Sequence, residues 1–137
     1  MERAELSPKN KHYIEKHRYY ELRHFCRQYD IWRKAANALL TYSKSPSQMA
    51  VLGKRRGWDD PVAKVVEARE SFVRRMGLVD EALDKACADV VGIRHYLFKG
   101  VTMGLSYDKM APEVPCGKEL YYKLYREFFW ILSHMRD

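Results

Sequence analysis

The residues able to do chemistry are few: five histidines, three cysteines and several adjacent carboxylates. His17 and His24 are seven apart and share a helical face, with Cys26 close by in sequence. A metal site wants ligands converging at i, i+3 or i+4. No such pair exists within that helix, so these histidines and His12 read as edge or phosphate-facing groups and no metal is expected. Cys26, Cys87 and Cys116 are widely spaced, odd in number and without a CxxC pair, which points to reduced thiols. His95 has no partnered nucleophile. There is no nucleophile elbow, phosphate-binding loop or dinucleotide glycine pattern. Asp59–Asp60 and Asp80–Glu81 read as helix caps or first-turn charges. The expectation is a non-catalytic protein with no cofactor.

Charge is the stronger signal. The chain carries +7 overall, which suits an anionic partner whose counterions are released on binding. The surplus is uneven: residues 1–60 hold 13 Lys/Arg against 7 Asp/Glu, residues 61–104 hold 7 against 6, and residues 105–137 hold 5 against 5. The densest basic run, "GKRRG", places Lys54, Arg55 and Arg56 between glycines, as an arm able to track phosphates. Trp58 beside it either anchors the loop or stacks. The opening "MERAELSPKNK" is polar, unlike a signal peptide. No apolar run approaches the roughly 20 residues of a membrane span. A cytoplasmic protein with no membrane partner is expected.

These groups must be positioned by helices, since apolar residues recur at helical rather than strand spacing. A first helix is expected from Ser7 (N-cap) and Pro8 to about Gln28, burying Leu22, Phe25, Cys26 and Tyr29. Asp30 would cap a second, Ile31 to about Tyr42, with Ile31, Ala35, Ala38, Leu39 and Tyr42 inward. Alternatively the two form one bent helix. Residues 43–60 read as a long basic loop. Asp60 and Pro61 open the next helix, which Gly77 either ends or interrupts at a cost of about 1 kcal/mol. Leu78 to Ala88 continues helical. Asp89 would cap Val90 to about Met103, closed by Gly104. Ser106 would cap a short helix, Tyr107 to Ala111, and the last would run from Gly117 to Met135. The predicted fold class is all-α: a single-domain bundle of six or seven helices ending in a helix-turn-helix, with segments 1–42, 43–60, 61–104 and 105–137.

The final pair, "GLSYDKMAPEVPCGKELYYKLYREFF", carries the functional question. Ala111 suits the small position where two helices cross, and Pro112 and Pro115 bracket the turn. Leu120, Leu124, Phe128, Ile131 and Met135 form one apolar face, and Tyr121, Tyr125, Phe129 and Leu132 an adjacent one. Lys118, Glu119, Tyr122, Lys123 and Arg126 are then outward. They suit phosphate and base-edge contacts, with Glu119 accepting from cytosine N4 and Tyr122 touching a thymine methyl or a phosphate. They equally suit the solvated side of an amphipathic helix. Trp130 belongs to the core or a dimer interface, and the excess of aromatic surface suggests a homodimer.

"GLSYDKMA" followed by "CGKELYYKLYREFFWIL" resembles the helix-turn-helix of sigma-factor region 4. More closely, it is similar to the small ArpU-type regulators encoded in Gram-positive phages and prophages. The opening "SPKNKHYIEKHRYYELRHFCRQYDIW" also resembles small prophage proteins with such a tail. The resemblance implies double-stranded DNA binding and transcription regulation. It places Ser106 and Tyr107 near a phosphate and Lys118, Glu119, Tyr122, Lys123 and Arg126 on a recognition helix, with Lys109 also among the DNA-binding residues. The alternative is a phage-encoded protein-binding module whose tyrosine-rich last helix docks on RNA polymerase, a defence nuclease or a packaging component.

Overall fold

The computed structural model describes residues 9–44 and 61–136, and among them the chain is all-α with no strand. Among the described residues six helices are present: α1 (Lys16–Arg27), α2 (Tyr29–Lys44), α3 (Pro61–Ala86), α4 (Arg94–Met103), α5 (Tyr107–Met110) and α6 (Lys118–Met135). No helix among the described residues is long and apolar enough to cross a membrane. Packing divides the chain into two compact units, residues 1–28 with 78–137, and residues 29–77.

In the first unit α1, α4 and α6 pack on one another. α1 contributes Tyr19, Leu22, Phe25 and Cys26, all buried at i, i+3, i+6 and i+7. The end of α3 adds Val79, Ala82, Leu83 and Ala86, and α4 adds Leu97 and Val101. α6 supplies seven buried side chains, among them Tyr121, Tyr125, Phe129 and Leu132 in one stripe. Rings of this seam meet edge-on, as Tyr125 and Phe129 do at 5.0 Å between centroids. The Tyr19 and Tyr125 hydroxyls share a buried hydrogen bond of 2.9 Å. Burial, together with that tyrosine neighbour, holds the Tyr125 hydroxyl well above its ordinary range. At the far end of α6, Arg18 donates to the Ser133 hydroxyl at 3.1 Å, the Ser133 carbonyl at 3.0 Å and the Arg136 carbonyl.

Two glycines set this geometry. Gly104 closes α4 at φ 75, a left-handed conformation that side chains resist. Gly100 faces α6 so closely that an added Cβ would fall on the Tyr121 hydroxyl oxygen. The α4–α6 approach therefore depends on the missing side chain.

Several boundaries differ from expectation. α1 starts at Lys16, not near Ser7: residues 9–15 are not helical, and the Glu15 carboxylate takes the His17 and Arg18 amides at 2.8 and 3.2 Å as the N-cap. Ser7 and Pro8 themselves lie outside the described residues. Asp30 sits inside the first turn of α2 and pairs with Arg33 and with Lys34 at 2.9 Å. The buried face of α2 is correspondingly shifted by one residue, to Trp32 and Ala36, with Ile31 exposed. Trp32 has more apolar surface to remove from water than Ile31. α3 runs unbroken through Gly77. α4 begins at Arg94 rather than Val90, because Gly92 at φ 81 cannot continue a right-handed helix. Most of the expected loop at 43–60 lies outside the described residues.

Candidate nucleic-acid interface

The described N-terminal residues make a turn, not a helix. The Asn10 side chain accepts the His12 amide at 2.8 Å, and the Asn10 carbonyl accepts the Tyr13 amide at 3.0 Å. This Asx turn folds the segment over α6, where the His12 ring lies 5.2 Å from that of Trp130. An open cleft results, lined by Lys9, Asn10, Lys11, His12, Lys123 and Arg126. Four cations and a histidine from opposite ends of the chain therefore meet on one face, and among the described residues no carboxylate lines the cleft. Glu127 is close enough for its charge to reach His12.

The electrostatics of the cleft are recorded in that histidine. Burial lowers the His12 pKa below its ordinary 6.5; Glu127 opposes this, while Lys11, Lys123 and Arg126 push it lower. His12 is thus a neutral imidazole at pH 7 beside an excess of fixed positive charge. Such a site favours phosphate over protonation.

The other expected contact residues divide by location. Lys123 and Glu119 are exposed on α6 and Arg126 is half-buried at the cleft. Tyr122 is corrected: it is 7% exposed and turned inward. Its hydroxyl accepts the Tyr107 amide at 3.3 Å and its ring stands edge-on to Tyr121 at 5.0 Å. Tyr122 buries a ring while its hydroxyl reaches a partner, and that combination outweighs an outward place. Leu120, expected inward, is exposed instead. Lys118 pairs with Asp108 at 3.0 Å across the turn. Ser106 caps α5 through the Lys109 amide at 3.4 Å. The Tyr107 hydroxyl donates to the Cys116 carbonyl at 2.7 Å. Lys109 is exposed. Lys54, Arg55, Arg56 and Trp58 lie outside the described residues.

The terminal pair is helical on both sides of a turn, with Ser106 and Gly117 as N-caps. α5 is a single turn of helix, and the connection contains a cis Ala111–Pro112 bond. That connection, Ala111 to Gly117, is roughly twice the three or four residues of a tight helix-turn-helix.

Sequence reasoning missed Lys9, Lys11 and the placement of His12 over α6. The signal available was "NKH": an Asx-turn asparagine with a cation and a histidine directly after it. Among the described residues no three His, Cys, Asp or Glu side chains are grouped to hold a metal ion. Comparison with family models, curated proteins and solved structures returned no match to this chain.

Proposed function

We propose that the chain is a non-catalytic double-stranded DNA-binding protein of the phage-regulator class, holding the phosphate backbone with the outer edge of α6 and the N-terminal turn. The observation that carries this is the meeting of Lys9, Lys11 and His12 with Lys123 and Arg126 around one cleft. The last 33 residues are neutral on their own, so the positive field at α6 is built by the fold. The resemblance of "GLSYDKMA" and the following helix to regulator tails adds the class. In this reading Glu119, Lys123 and Arg126 face DNA. The Tyr122 ring is buried, and its hydroxyl braces α5 against α6. Entry of α6 into the groove does not require a tight helix-turn-helix; it requires an exposed cationic edge.

The test is the salt dependence of binding to duplex DNA. Each lost phosphate contact lowers the slope of log K against log salt by about 0.9. Lys123→Gln with Arg126→Gln should weaken binding and flatten the slope by about two contacts. Unchanged affinity and slope, with the fold intact, would remove α6 from the interface.

A further inference from the structure

A second set of cations meets α6 one helical turn away. A pocket between α1 and the end of α4 is lined by Arg23, Arg27, Gly104, Ser106 and Tyr122, among others, and among the described residues by no carboxylate. Arg23 and Arg27 are four apart on α1 and so share a face. The Arg27 guanidinium lies against Gly104, where a side chain would collide with it. The C-terminal carbonyls of α4, with their partial negative charge, favour that position and keep Arg27 at the pocket mouth. From α6, the Tyr122 hydroxyl accepts from the Tyr107 amide and keeps its own proton to donate. The pocket holds about 20 Å³, enough for one water-sized group and too small for a base or sugar. Two guanidiniums and a phenol around an oxygen-sized space are the chemistry of a phosphate oxygen.

Tyr122 and Arg126 are also four apart, on the same edge of α6. The pocket lined by Tyr122 and the cleft lined by Arg126 are thus one helical turn apart along α6. We infer that the Arg23–Arg27 pocket is a second phosphate station on the same nucleic-acid backbone path, an inference that rests on the DNA-binding reading above. The backbone then runs along the α1–α6 seam, crossing the Lys9–Lys11 cleft and the arginine pocket in turn.

The experiment compares, in the full chain, Arg23→Gln with Arg27→Gln, Arg23→Lys with Arg27→Lys, and Lys123→Gln with Arg126→Gln. Affinity for one DNA duplex is measured across salt, with thermal melts alongside. The glutamine pair at 23 and 27 should flatten the slope by about 0.9 per arginine, and the lysine pair should keep it, since a lysine still displaces a counterion. A slope that falls only for the 123/126 pair overturns the second station and leaves the DNA-binding reading standing. If neither glutamine pair changes the slope, both fail. Equal losses in the Gln and Lys pairs at 23 and 27 would mark the arginines as structural and overturn the assignment. Inorganic phosphate, titrated while amide resonances of Ser106 and Tyr122 are followed, separates the sources. If it shifts them in the wild type only, with the DNA slope unchanged by the 23/27 variants, the pocket takes free phosphate and the backbone path is wrong.

Discussion

Gly100→Ala isolates the contact that sets how closely α4 approaches α6. The new methyl would fall on the Tyr121 hydroxyl, and next meets Tyr121 Cζ at 3.4 Å and the Leu105 carbonyl oxygen at 3.5 Å. Tyr121 is 1% exposed and touches the rings of Tyr107 and Tyr122, so it has little room to swing away. Overpacking of this kind costs about 1–3 kcal/mol. Alanine in place of glycine inside a helix returns about 1 kcal/mol. Gly100→Ala alone should therefore destabilise by up to about 2 kcal/mol. Tyr121→Phe removes the clashing oxygen and leaves only contacts at ordinary, if tight, separation. In that background Gly100→Ala should be neutral or stabilising by up to about 1 kcal/mol. The coupling between the two substitutions is then about 1–3 kcal/mol. Urea denaturation followed by circular dichroism at 222 nm measures all four corners of the cycle. The cycle subtracts whatever the hydroxyl contributes elsewhere. If Gly100→Ala costs the same in both backgrounds, the hydroxyl is not seated on Gly100 and the packing described for α4 and α6 is wrong.

Because His12 is held below 6.5 and a phosphate would raise it, DNA binding should take up a proton, and affinity should increase as pH falls from 7.5 to 6; His12→Gln flattens this, as a binding titration at several pH values would show. Without DNA the sign reverses: stability from the lowered His12 pKa is complete above 6.5 and is lost as pH falls through the folded value, which melts of wild type and His12→Gln can compare. Burial pushes the Cys87 thiol up to about 11 and Cys26 higher still, whereas half-buried Cys116 is raised less, so iodoacetamide at pH 8 should label Cys116 first and Cys26 only on unfolding, read by mass spectrometry. Early labelling of Cys26 would contradict its place in the α1 core.

What could be read from the sequence depended on whether local geometry or tertiary packing decided. Gly104, Ser106 and Pro61 mark helix ends for local reasons: a left-handed backbone at Gly104, a side-chain cap from Ser106 to the Lys109 amide, and a first-turn place for Pro61 whose missing N–H costs nothing there. The start of α1 was not legible, since Ser7–Pro8 carries the usual cap signature and only the folded turn at Asn10 delays the helix to Lys16. α6 shows two apolar stripes of similar strength. Periodicity cannot rank them, and contact with α1 and α4 buries the tyrosine stripe and turns Tyr122 inward. Lys123 and Arg126 were legible as outward or edge residues. Their companions Lys9 and Lys11 were not, because more than a hundred residues of chain separate them and only tertiary structure closes that distance.

Trp130 lies between two imidazoles, His12 at 5.2 Å and His134 at 4.3 Å between ring centroids. A protonated imidazole quenches indole emission more strongly than a neutral one, because the cation accepts charge from the excited ring. Any anion that settles in the cleft and draws a proton onto His12 should therefore dim Trp130. The molecule carries a built-in optical gauge of its own occupancy.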